Sequence, residues 1–139
     1  MSDLNSIIDE FADLEPRERL EELLEYSESL PPIPPELEEA RQAGEHRLQE
    51  CQSPVFLWVD VQDGKVDFHA WVAPEAPTVK GFVGILVDAF HGQPPEVVLN
   101  SPADLLKRLG LAEALGMVRG RGLSAILFYV RTQVQKAVL

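Results

Sequence analysis

Val55-Phe56-Leu57-Trp58-Val59-Asp60-Val61-Gln62-Asp63-Gly64-Lys65-Val66-Asp67-Phe68-His69-Ala70-Trp71-Val72 is the stretch that decides the fold class. Val55, Leu57, Val59 and Val61 alternate with Phe56, Trp58 and Asp60, the period of a strand with one buried face and a second face that is partly covered. Asp63-Gly64 is a strong short-range signal for a hairpin turn. Beyond it Val66, Phe68, Ala70 and Val72 alternate again with Asp67, His69 and Trp71. A further strand over Glu45 to Gln49 would extend this hairpin to three strands.

On the C-terminal side, Val79, Phe82, Val83, Leu86, Val87 and Phe90 fall at i, i+3, i+4, i+7, i+8 and i+11, and Gly92 stands where a helix C-cap belongs. The spacing predicts a helix over 78–91 that packs on the sheet. Ser101 as cap and Pro102 at the first position predict a helix through Leu105, Leu106 and Leu109 that ends at Gly110. Leu123, Ile126, Leu127, Val130 and Val134 form the buried stripe of a last helix, entered through a loop rich in Gly and Arg over 116–122.

On the N-terminal side, Leu4, Ile7, Ile8, Phe11 and Leu14 recur at helical spacing behind Ser2 or Asp3 as cap. A second helix starts at Pro16 and carries Leu20, Leu23, Leu24 and Ser27, with its glutamates mostly outward. Pro31-Pro32-Ile33-Pro34-Pro35 cannot continue a helix and favours an extended path, after which Glu36 to Ala43 predicts a short polar helix. Helices, a small sheet, then helices define an α+β chain: a three-stranded antiparallel sheet packed against N-terminal and C-terminal helices. Its 139 residues suit a single domain spanning 1–139.

Composition narrows the function. The formal net charge is −11, with 15 acids and 4 bases in residues 1–50, 6 and 2 in 51–99, and 2 and 6 in 100–139. That balance argues against nucleic acid or an anionic membrane surface as partner, because phosphate binding relies on clustered Lys and Arg. The acidic N-terminal third reads as a solvated helical face or as a docking surface for a basic partner. No stretch approaches the roughly 18 to 20 apolar residues of a spanning helix, and the first residues are acidic where a signal peptide would be basic. A soluble, cytoplasmic protein is the expectation.

Cys51 is the single cysteine, which excludes an internal disulfide and a multi-thiolate metal site within one chain. It lies in Leu48-Gln49-Glu50-Cys51-Gln52-Ser53-Pro54, a polar setting that suits a loop better than a core. A nucleophilic thiol must be reachable and partly deprotonated, so a nearby cation helps and Glu50 hinders; Arg119 and Arg121 are the candidate cations. His46, His69 and His91 are too scattered for metal-ligand spacing on one helix. His91 reads as a helix-end cation favoured by the macrodipole. His69, on the Trp71 face of its strand, could approach Cys51 as in a cysteine hydrolase, but no orienting acid is evident in the sequence. The glycines of 116–122 lack the spacing of a P-loop and read as turn formers.

Three segments taken together are characteristic: His46-Arg47-Leu48-Gln49-Glu50-Cys51-Gln52-Ser53-Pro54-Val55-Phe56-Leu57 with the hairpin behind it, Thr78-Val79-Lys80-Gly81-Phe82 opening an apolar helix, and Arg119-Gly120-Arg121-Gly122-Leu123 opening the last one. This combination resembles the SufE-type sulfur-acceptor proteins of iron–sulfur cluster assembly, which share a fold with IscU-like scaffolds. The resemblance implies that Cys51 accepts sulfane sulfur from the persulfide of a PLP-dependent cysteine desulfurase of SufS type, stimulates that enzyme, and delivers sulfur to a scaffold of SufBCD type. It implies no cofactor in this chain, since the PLP belongs to the partner, and no stand-alone turnover. Lys80, Gly81, Arg119, Gly122 and Leu123 are the other positions that match its motifs, with Arg119 a candidate for thiolate stabilisation or docking. The quaternary expectation is a monomer or homodimer.

Three other classes make different demands. A cluster scaffold needs about three cysteine ligands. An interaction module tolerates Cys51→Ser. A cysteine hydrolase needs a His within hydrogen-bond reach of the thiol.

Overall fold

Asp63 and Gly64 both adopt positive φ, 54° and 75°, the left-handed pair that a two-residue turn needs to match the twist of its strands. The turn joins β1 (Val55–Gln62) to β2 (Lys65–Val72) in an antiparallel register running from Gln62↔Lys65 to Val55↔Val72. The computed structural model describes residues 3–48 and 53–139. Cys51, Gln49, Glu50, Gln52 and the alternative cap Ser2 lie outside the described residues.

The sheet has two strands, not the three expected. On the outer side of β1, Arg47 forms an isolated bridge with Phe56, flanked by hydrogen bonds from the Leu48 N–H to the Val55 carbonyl (2.8 Å) and from the Leu57 N–H to the His46 carbonyl (3.1 Å). The pairing goes no further toward the N-terminus because Gly44 and His46 take left-handed φ of 80° and 67°, which turns the chain away from an extended path.

Before the sheet come α1 (Leu4–Ala12), α2 (Pro16–Ser29) and α3 (Pro35–Gln42). Asp3 caps α1, its carboxylate accepting the Ser6 N–H at 2.8 Å. At the start of α2 the Glu15 N–H donates to Glu18 Oε1 at 3.0 Å, and Pro16 occupies the first helical position. After the sheet come α4 (Pro77–Phe90), α5 (Pro95–Leu99), α6 (Leu105–Arg108) and α7 (Ala112–Val138). Gly92, at φ 79°, follows α4 as expected, and its N–H bonds to the Val66 carbonyl at 2.8 Å.

Three segments differ from the sequence reading. Two prolines open α5, which at five residues is too short to show a period. Ser101 does not cap the next helix; its hydroxyl donates to the Val98 carbonyl at 2.6 Å and closes α5, and α6 begins only at Leu105. Residues 117–122 are helical rather than a loop, because α7 is broken only at Gly116 (φ 80°, ψ 169°) and resumes at once. Two glycines weaken this stretch by about 1 kcal/mol each relative to alanine. The buried Leu115 and Leu123 on either side hold it, and Gly120 lies so near Leu106 that a Cβ there would stand 3.3 Å from its methyl group.

One core cluster draws on α1 (Leu4, Ile7, Phe11), the inner sheet face (Leu57, Phe68), α4 and α7 (Ile126, Val130, Val134). Helix α4 is apolar almost all round because β2 covers one side and α2 the other. The second sheet face is also covered: Trp71 meets Phe56 edge-on at 5.8 Å, and the Arg41 guanidinium of α3 sits 4.4 Å over the Trp71 ring. That is why Phe56 is buried although it alternates with the core residues.

Candidate functional site

Residues 49–52, with Cys51 among them, connect two clamped flanks, since Leu48 and Val55 are hydrogen-bonded to each other and both are buried. Ser53, two residues past Cys51, lines a cleft of about 670 Å³. Its floor is apolar, from Val79, Leu123 and Ile126. Its rim carries Glu75 and Thr78 from the segment that opens α4, and Val118, Arg119 and Arg121 from the start of the resumed α7.

The bend at Gly116 gives this arrangement its geometry. Its φ and ψ lie in a region open almost only to glycine, so the helix axis changes there and the first turn beyond it faces the cleft. No described carboxylate forms an ion pair with Arg119 or Arg121, so two exposed guanidinium groups stand beside the chain leading to Cys51.

The positions singled out in the sequence therefore separate. Arg119, Gly122 and Leu123 line the cleft with Ser53. Lys80 follows the lining residue Val79 and does not line the cleft itself. Gly81 belongs elsewhere: it is buried against α2, where a Cβ would collide with the Leu23 carbonyl oxygen. Its motif position is a packing requirement of two crossing helices. Glu75, Thr78 and Ser53 were not singled out as site residues; only the tertiary approach of the α4 start to α7 brings them together.

The histidines also sort differently from expectation. His91 is an acceptor, its Nδ1 taking the backbone N–H of Phe68 at 3.1 Å and so covering the open edge of β2. His69 does have an acid, since its Nε2 lies 3.0 Å from Asp67 Oδ1. The two rings are 5.4 Å apart under the proline segment, whose residues line a separate groove of about 360 Å³ with both of them. Among the described residues no cluster of His, Cys, Asp and Glu has the arrangement of a metal site, and no helix is long and apolar enough to cross a membrane.

A small antiparallel hairpin carrying helices on its faces is the α+β architecture of a known structure. The solution structure of a hypothetical protein from Thermus thermophilus superimposes with a TM-score of 0.83 at 39% identity, covering 97% of this chain and 95% of that one. The sequence matches the SufE family, described as an Fe-S metabolism associated domain, over residues 5–134. The chain belongs to the SufE family. An uncharacterised SufE-like protein of Mycobacterium tuberculosis is 36% identical over 135 residues, 96% of this chain and 92% of that protein. The cysteine desulfuration protein SufE of Plasmodium vivax is 32% identical over 111 residues, 78% of this chain and 42% of that longer protein.

Proposed function

We propose that this chain is a sulfur carrier in which Cys51 accepts sulfane sulfur from the persulfide of a PLP-dependent cysteine desulfurase of SufS type and passes it to an iron–sulfur scaffold of SufBCD type. The step is a thiol–disulfide-like exchange. The Cys51 thiolate attacks the terminal sulfur of the donor persulfide, a new S–S bond forms on Cys51, the donor's S–S bond breaks, and the donor cysteine leaves as thiolate. Electrons are exchanged between the two sulfur pairs, so no external oxidant or reductant enters. The chain contributes no cofactor; PLP works in the donor, which turns over while the carrier is loaded and emptied and raises the donor's rate by removing its sulfur.

The observation that carries this reading is that the family match spans the only cysteine of the chain, in a segment whose neighbour Ser53 shares a cleft with Arg119 and Arg121. Guanidinium groups near a thiol favour its thiolate form, and a thiolate is what the exchange requires. Intact mass spectrometry after incubation with cysteine and a PLP-dependent desulfurase tests it, run beside Cys51→Ser. The expected result is one or more added sulfur atoms on the wild type only, removed by reductant. A wild type that gains no sulfur, or a Cys51→Ser protein that gains as much, overturns the proposal.

A further inference from the structure

Among the described residues, the large apolar side chains most exposed before the C-terminal residue are gathered on one helix. Met117, Val118 and Phe128 of α7 are 75%, 83% and 71% exposed, where Leu20 and Leu24 on α2 reach only 37% and 44%. Met117, Arg121, Ser124 and Phe128 stand at i, i+4, i+7 and i+11, so they share one helical face about 16 Å long. A groove of about 420 Å³ runs beside the first part of that face, between Met117, Gly120, Arg121 and Ser124 on α7 and Leu106 and Lys107 on α6. Arg121 lines both this groove and the cleft that contains Ser53.

Charge defines what fits there. In a chain of net charge −11, Lys107 and Arg121, the two cations that line the groove, have no ion-pair partner among the described residues. The one carboxylate of the groove, Asp104, is held by Arg108 at 2.7 Å. Apolar side chains this exposed within a cationic border call for a surface that brings large apolar groups ringed by carboxylates. The acidic majority of this chain disfavours anionic lipid as the occupant.

We propose that the Met117–Phe128 face of α7 is the docking surface for the sulfur donor, which meets it with an apolar element flanked by Asp and Glu. This rests on the sulfur-carrier reading, and the shared Arg121 joins the face to the cleft that Ser53, two residues past Cys51 in sequence, lines. The face is separate from the cleft itself: Met117, Ser124 and Phe128 do not line the space that Ser53 lines.

The test is the affinity of a PLP-dependent cysteine desulfurase from the same organism for the wild type, Met117→Ser, Phe128→Ser and Lys107→Glu, with Leu24→Ser on the acidic helix α2 as control. Circular dichroism confirms that each variant folds. Each α7 or α6 variant is expected to raise Kd about tenfold or more, with Leu24→Ser unchanged and wild-type affinity falling as salt rises. Unchanged Kd in the face variants, with a wild type that binds and is loaded, overturns the surface and leaves the carrier reading standing. A wild type that neither binds nor gains sulfur overturns both. Sedimentation that shows a dimer lost in Phe128→Ser, or Phe128-dependent binding to phosphatidylglycerol vesicles, overturns the assignment by giving the face to a second copy or to lipid.

Discussion

Gly81 of α4 lies directly against the Leu23 carbonyl oxygen of α2, with no room between them for a Cβ. Three residues on, Gly84 faces the next such carbonyl, where a Cβ would stand 2.5 Å from the Tyr26 oxygen. Two glycines at i and i+3 thus let the two helices cross at backbone contact. Gly81→Ala must separate them and is expected to destabilise the fold by about 2 to 4 kcal/mol, measured as a shift in the urea midpoint. A stable Gly81→Ala protein with slowed sulfur acceptance would instead return Gly81 to the site.

Gly116 requires glycine for a different reason, its φ and ψ and not space, since nothing lies within 4 Å of a Cβ built there. Gly116→Ala carries about 1 to 3 kcal/mol of backbone strain. The expected outcome is a lower urea midpoint together with chemical-shift changes confined to the start of α7 and the cleft. A variant as stable as the wild type would show that the bend is not held by the fold.

The acidic side of the molecule carries a pH dependence. Burial, together with the neighbouring Glu10 and Glu25, pushes the Glu22 carboxyl up from its ordinary 4.5 to about 7. The folded state therefore binds a proton that the unfolded state releases between those values, so this group's contribution to stability is present below pH 4.5 and is lost as pH rises to about 7. Glu22→Gln keeps the neutral form at every pH. It is expected to raise Tm at pH 8 by a few degrees while leaving Tm at pH 5 nearly unchanged, and an equal shift at both values would assign the effect to something other than titration.

Arg119 is exposed and belongs to the cleft, so its removal tests chemistry with little cost to the fold. Arg119→Ala is expected to slow sulfur transfer to Cys51 about tenfold, corresponding to about 1.4 kcal/mol, with an unchanged urea midpoint. Arg119→Lys restores part of the rate if charge is what matters. Transfer kinetics equal to wild type would retire the residue from the site.

Much of the fold was readable because local signals and burial agree. The hairpin was fixed by strict alternation around Asp63-Gly64, and α1, α2 and α4 by apolar periods with identifiable starts. The errors fall where a short-range signal competed with a contact distant in the chain. The strand expected over Glu45 to Gln49 was only weakly signalled, and left-handed Gly44 and His46 limit the pairing of its described residues to one bridge at Arg47. The glycines of 116–122 resemble a loop, yet packing of Gly120 on Leu106 keeps the helix intact beyond a single bend. Asp67 went unnoticed as a partner for His69, although i and i+2 share a strand face and the pair is therefore visible in the alternation.

The sequence by itself determined the α+β order of elements, the single thiol, the skewed charge and the family, because these follow from residue identity and spacing along the chain. Only the tertiary structure decided that Gly81 packs while Arg119 and Gly122 line a cleft, that His91 covers a strand edge instead of serving as a helix-end cation, and that Ser53 meets the start of α7. The reason is physical: a side chain's role depends on which partner faces it, and these partners stand tens of residues apart in sequence, joined by the burial of a common core.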